Sequence, residues 1–405
     1  MAQYQALIFL SLILLVAGND CIWDTSTSFP DISPLMLDSD LEMILPVMEG
    51  ETSIVKVAEG SNITLVCPGS SINAIQLVSA VATCIGDTQV RINDKTYSLK
   101  ELGCLKTPKP SIKKKVGNCG VDGTDELHAI GFKIAPFVFY ELVRVCFDGT
   151  AQTTLYTDHV LRGAHIAAKE VTPGRPGFKT GSGFFSVSMS RIYTKKSQLA
   201  LMVKLLGSET LASTIINGRK QLYFSKGHMS PDADFVTEAL QDATYFYINA
   251  LPQWQAFNNG NWKQLEFATR TLAEEMGSDL RIYSGGWGVL QLPDVNNNPV
   301  DIYLGLTDGE QVVPAPALTW KVVHDEKTGR AVAIIGVNNP HITSIPDTIC
   351  PNICKSLEWV TFAVTELEDG YTYCCTVDDL RKAVPYVPDI GTVKLLASPT
   401  SGCRK

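Results

Sequence analysis

The chain has 405 residues, a net charge of −8 and an ordinary composition, 45% hydrophobic and 19% charged. That length accommodates about two domains with a sizeable core, and the composition excludes a disordered or fibrous protein. The acidic balance argues against a uniformly basic nucleic-acid binder, because phosphate contacts need Lys and Arg.

Residues 6–17 form a mostly apolar run, too short to span a bilayer and followed by Gly18-Asn19-Asp20. This predicts a secretory signal peptide over residues 1–18, cut near Ala17 or Gly18, although no Lys or Arg precedes the run. No later segment is apolar enough to cross a membrane, so a secreted, extracellular protein is expected. Cysteine usage agrees. Cys21, Cys67, Cys84, Cys104, Cys119 and Cys146 precede residue 147, and Cys350, Cys354, Cys374, Cys375 and Cys403 follow residue 349. In an oxidising compartment these read as disulfide staples on two flanks rather than as a zinc site. Their total of 11 is odd, leaving one thiol free or paired between chains. Asn62-Ile63-Thr64 is a glycosylation sequon.

Residues 19–134 read as a small, disulfide-tied β-rich domain. Ile54–Val57 and Ile63–Cys67 are β-type runs separated by a turn over Glu59-Gly60-Ser61-Asn62. Lys113-Lys114-Lys115, beside Pro108 and Pro110, reads as an exposed linker loop. Residues 135–405 form the second unit, opening on longer strands over Phe137–Tyr140, Leu142–Cys146 and Thr154–Tyr156. The runs Leu199–Leu206 and Leu211–Ile216 fit strands or short helices equally well.

Between Arg175 and His228 nine basic residues face a single acidic one, Glu209, enough to supply a positive groove on an acidic protein. Gln221–Phe224 is strand-like and delivers His228, and Thr244–Ile248, rich in aromatic and β-branched residues, predicts a second strand. Asn261, followed three residues later by Gln264, predicts a helix start, with apolar residues continuing to about Glu275 and Asn258 in the loop ahead of it.

Three words in this segment carry chemistry: Ser225-Lys226-Gly227-His228 followed by Pro231 and Ala233-Asp234; Asn249-Ala250-Leu251-Pro252-Gln253; and Asn258-Asn259-Gly260-Asn261-Trp262-Lys263-Gln264-Leu265-Glu266. They resemble the DNA/RNA non-specific endonuclease family, whose secreted arthropod branch includes nucleases of saliva and gut. The resemblance is specific over residues 136–290. The second and third words are intact, whereas the first has Ser225 and Lys226 where the family has Asp and Arg.

The resemblance implies an α+β fold, with a ββα-metal nuclease core on a mixed sheet. It implies a secreted endonuclease that hydrolyses DNA, RNA or both with little sequence preference. His228 would be the general base, suited by an unperturbed pKa near 6.5. Asn258 would ligate one largely hydrated Mg²⁺, with Mn²⁺ as a substitute, and Glu266 would lie in the cation's outer shell. Lys226, Arg270 and Arg175 would meet phosphate, Lys226 without the bidentate fork of an Arg and hence with weaker or altered activity. Asn249 and Gln253 would orient the site. From the residues alone, Asn258 also fits a capping role and Glu266 an i,i+4 pair with Arg270.

Arg162-Gly163-Ala164-His165 imitates part of the first word without its partners and reads as structural. Gly174–Gly183 lacks the spacing of a nucleotide cradle, and Ser225 lies in no Gly-x-Ser-x-Gly elbow. The altered first word keeps open a catalytically weakened nucleic-acid-binding protein on a nuclease scaffold. A structural extracellular module is a third reading. Substrate preference and oligomeric state, a dimer included, are not legible in the sequence.

Overall fold

The computed structural model describes residues 19–171, 174–307 and 309–399; the apolar run 6–17 and Cys403 lie outside them. Its spine is a nine-stranded sheet in the order Thr372–Cys375, Arg330–Val337, Leu318–Asp325, Leu280–Trp287, Thr153–Leu161, Val138–Asp148, Asp125–Ala135 and Ser111–Cys119, with Lys394–Leu395 beside Arg330–Val337. Neighbours are antiparallel except this last pair, so the sheet is mixed by one short strand.

Side-chain alternation along the strands Leu280–Trp287, Leu318–Asp325 and Arg330–Val337 serves two cores, one on each face. Leu280, Ile282, Val332 and Ile334 join the core beneath the helix Asn261–Met276, whereas Trp320, Val322, Ala333 and Ile335 join a second core covered by the carboxy-terminal segment. The neighbours Cys374 and Cys375 obey the same alternation. Cys374 bonds Cys354 in the first core, and Cys375 bonds Cys350 in the second.

Ahead of the large sheet lie a three-stranded sheet (Cys21–Asp24, Thr52–Val57, Val47–Glu49) and a five-stranded sheet (Leu35–Leu37, Asn62–Val66, Ser79–Cys84, Gln89–Ile92, Lys95–Ser98). The runs 54–57 and 63–67 thus belong to different sheets. Cys21–Cys84 and Cys67–Cys104 staple this unit, and Cys119–Cys146 ties two strands of the large sheet. The unit is not an appendage: Leu35, Leu37, Leu45 and Val66 share one core with Ile130, Phe132, Val143, Val236 and Leu240.

Two sequence expectations change here. Lys113-Lys114-Lys115 is not a loop but part of the edge strand Ser111–Cys119, where three exposed side chains in a row are tolerated because a bulge interrupts its pairing and no strand covers its far side. Residues 111–134, read as the end of the amino-terminal domain, pair with the large sheet. The ambiguous runs are helices, Lys195–Leu206 and Glu209–Ile215, started by Thr194 and Ser208, whose hydroxyls accept from Ser197 and Leu211 amides. Gly207, at φ 73°, ends the first in a left-handed conformation that suits glycine.

Candidate active site

An antiparallel pair, Phe224–His228 with Ala250–Trp254, is followed by the short helix Gln255–Asn259 and the long helix Asn261–Met276. This is the ββα order read from the sequence, with three corrections. The second strand is Ala250–Trp254 rather than Thr244–Ile248, because the Asn249 carboxamide donates to the Thr244 and Ser230 carbonyls and accepts from the Ser230 amide, fixing a tight irregular segment. Asn258 lies in the short helix, not in a loop. The long helix is capped by Gly260, while the Asn261 amide side chain is spent on the Ala363 and Gly370 carbonyls. Trp262, Leu265, Thr269 and Leu272 form its buried stripe, leaving Lys263, Glu266 and Arg270 on the face toward a cleft.

That cleft, of about 440 Å³, brings together His228, Asn258, Glu266, Arg270, Lys226 and Arg175. His228 is half-buried, its ring 4.9 Å from Phe178 and 4.8 Å from Tyr245. Its Nε2 is buried without a hydrogen-bond partner among the described residues. Burial lowers the imidazole to about 4, against Asp232, which raises it, while Arg175 and Lys226 lower it further. His228 is therefore neutral at physiological pH and able to accept a proton. Lys226, two residues earlier on the same strand face, holds its ammonium 5.1 Å from the Phe178 ring. Arg175 is exposed and lies 3.7 Å from Asp232, which also accepts from the Tyr245 hydroxyl at 2.6 Å.

The donors in the cleft suit a hard divalent cation. Asn258 and Glu266 are half-buried oxygen donors without a hydrogen bond to any described residue. Burial pushes the Glu266 carboxyl up to about 7; Lys321 and Arg270 pull it down, and Asp234 and Asp232 push it up. A carboxylate in that state gains from a nearby cation. No group of three or more His, Cys, Asp or Glu converges among the described residues, so a cation held here would keep mostly water and substrate oxygens.

Asn249 and Gln253 do not line the cleft; both are fully buried behind it. Asn249 clamps the segment that follows His228. The Gln253 side chain lies across Gly227, where an added Cβ would come within 1.9 Å of its Oε1. The glycine between Lys226 and His228 is thus demanded by the second word, for space rather than for backbone conformation. Arg270 does not pair with Glu266; it donates to Asp234 at 2.9 Å.

Sequence reasoning assigned no role to Phe178, Tyr245, Asp232 and Lys263, which line the cleft, or to His159, Asp234 and Lys321 beneath it. Asp232 and Asp234 were visible beside Pro231 in the first word; Lys321 was signalled only as a lone cation in the apolar run Leu318–Val323. The Arg162–His165 imitation is structural, as read. Arg162 pairs with Asp279 and Glu42, and His165 Nδ1 lies 3.0 Å from the Pro46 carbonyl.

The sequence pattern of the DNA/RNA non-specific endonuclease family matches residues 123–380. A salivary endonuclease of Lutzomyia longipalpis is 27% identical over 332 residues, covering 81% of this chain and 74% of that protein. The salivary protein Tsal1 of Glossina morsitans morsitans is 24% identical over 294 residues, 70% of each chain. A salivary endonuclease of Culex quinquefasciatus is 30% identical over 177 residues, 41% of this chain and 45% of that one. With its pattern matched over more than half of the sequence, and with a ββα cleft built from that stretch, the chain belongs to the DNA/RNA non-specific endonuclease family.

Proposed function

We propose that the protein is a secreted, Mg²⁺-dependent endonuclease that hydrolyses phosphodiester bonds of DNA, RNA or both with low sequence preference. The observation that carries this reading is one cleft holding the His228 imidazole, the Asn258 carboxamide, the unpaired Glu266 carboxylate and four cations, Arg175, Lys226, Lys263 and Arg270. In this reading His228 takes a proton from the attacking water. Lys226, Arg175 and the free part of the Arg270 guanidinium hold the phosphate and offset its developing charge. Asn258 would hold the cation directly and Glu266 through water, and the bound ion would supply charge neutralisation at the phosphate and leaving oxygen. Asn249 would fix the turn after His228 through its three hydrogen bonds, and Gln253 would orient the strand by filling the space across Gly227. Contacts to phosphate carry no base identity, hence the low sequence preference.

Export is supported by the apolar run 6–17, by ten paired cysteines among the described residues, and by the salivary naming of three relatives. A salivary or digestive role follows. Asn62 is exposed, as a glycosylated Asn must be. No described helix is long and apolar enough to cross a membrane.

The test is incubation of purified protein with plasmid DNA and with double-stranded RNA, with Mg²⁺ and with chelator. Cleavage of either substrate only with the cation is the expected result. Salt-sensitive binding without cleavage under any divalent cation would favour the scaffold-binding reading.

A further inference from the structure

Behind the cleft lies a buried polar cluster, Asp234, His159 and Lys321, to which the proposed chemistry gives no role. Asp234 is 3% exposed, and its two oxygens divide their partners: Oδ1 accepts from Arg270 Nη1 at 2.9 Å, and Oδ2 lies 3.0 Å from His159 Nε2. His159 is 1% exposed and sits in the middle of the large sheet, on Thr153–Leu161, opposite Val143 on one side and Ile282 on the other. Its Nδ1 is buried without a partner among the described residues, and the contact with the Asp234 carboxylate places the ring proton on Nε2. Lys321, 1% exposed and donating to the Ser284 hydroxyl at 2.8 Å, lies 5.7 Å from the Trp262 ring; burial lowers its ammonium, against Asp234 and Glu266, which raise it. Burial alone would raise the Asp234 carboxyl, yet the His159 hydrogen bond, Arg270 and Lys321 hold it down at about 2.

We infer that Asp234 is a positioning residue that aims the Arg270 guanidinium into the cleft, with His159 fixing the carboxylate to the central sheet. The inference rests on the reading of Arg270 as a phosphate cation. An Arg side chain has several rotatable bonds and loses rotamer entropy when it is fixed. One nitrogen tied to a carboxylate that is itself anchored removes that cost before substrate arrives. The other guanidinium N–H groups make no hydrogen bond to a described residue and remain for phosphate oxygens. This is preorganisation, and removing one preorganised charge contact typically costs roughly 100-fold in kcat.

The test compares Arg270→Ala, Asp234→Asn, the double variant, His159→Leu and His159→Gln, each checked for folding by circular dichroism and thermal melting. Arg270→Ala and Asp234→Asn should each lower kcat by roughly 100-fold, with the double variant no worse than Arg270→Ala alone, because the carboxylate acts only through the guanidinium. His159→Leu should lose activity and His159→Gln, which can still donate to Asp234, should recover most of it. Should Asp234→Asn not fold, the two His159 variants decide the matter by themselves. Additive losses in the double variant, or equal activity of His159→Leu and His159→Gln, would overturn the inference while leaving Arg270 in its role. An Arg270→Ala enzyme of full activity would remove that role and the inference with it.

Discussion

The flanks of this protein and its middle are held together by different means. Ten cysteines pair within residues 21–146 and 350–375, whereas the stretch 147–349, which supplies every cleft residue, contains none. The middle relies on packing: Trp254, Phe257, Trp262 and Leu265 are each at most 1% exposed and bury one side of the site elements. On its other side the same segment keeps half-buried polar groups with incomplete hydrogen bonding, His228, Asn258 and Glu266. Crosslinks tie the buried parts of the flanks, while the cleft with its polar groups is set against an apolar wall.

The largest effect is expected on the reactive side: Asn258→Ala should lower cleavage by at least roughly 100-fold with little change in melting temperature. An unaltered rate at limiting Mg²⁺ would remove Asn258 from the cation's shell. On the crosslinked side, replacing both Cys354 and Cys374 by Ser opens a link across 20 residues of sequence and should cost roughly 3 kcal/mol of stability. Denaturant unfolding would measure it, and kcat at 25 °C should stay as it was. Gly227→Ala joins the two sides, because its Cβ would drive the Gln253 amide out of place. A loss of roughly 1–3 kcal/mol is expected together with lower activity, and wild-type stability would show that Gln253 can move freely. The smallest effect concerns pH. Since burial leaves His228 protonated only near and below about 4, the base form persists below the ordinary imidazole value of about 6.5. At saturating Mg²⁺ the acidic limb of kcat/KM should therefore fall under 6.5, and a limb at or above that value would contradict the environment described for the ring.

Legibility followed the same divide. The strand, strand, helix order and the helix Asn261–Met276 could be read from local patterning, whereas the convergence of His228, Asn258 and Glu266 came from the family resemblance of the three words. The second strand could not. Tyr245, Phe246, Tyr247 and Ile248 have strand-like composition, but they are buried in an irregular segment that one carboxamide, Asn249, organises through tertiary hydrogen bonds. The edge strand through Lys113–Lys115 was hidden for a related reason, since an exposed edge needs no apolar alternation. His159 and Lys321 lie on strands that only the sheet order sets near each other, and Asp234 comes from the short turn Asp232–Asp234 outside the sheet.

In the proposed reaction the His228 ring activates water at a phosphate held in this cleft. His228→Ala, assayed in parallel for plasmid cleavage and for polynucleotide binding, tests it most directly. Cleavage lower by roughly 100- to 10,000-fold with binding and fold retained is the predicted result. Cleavage within a few fold of the wild-type rate would contradict it.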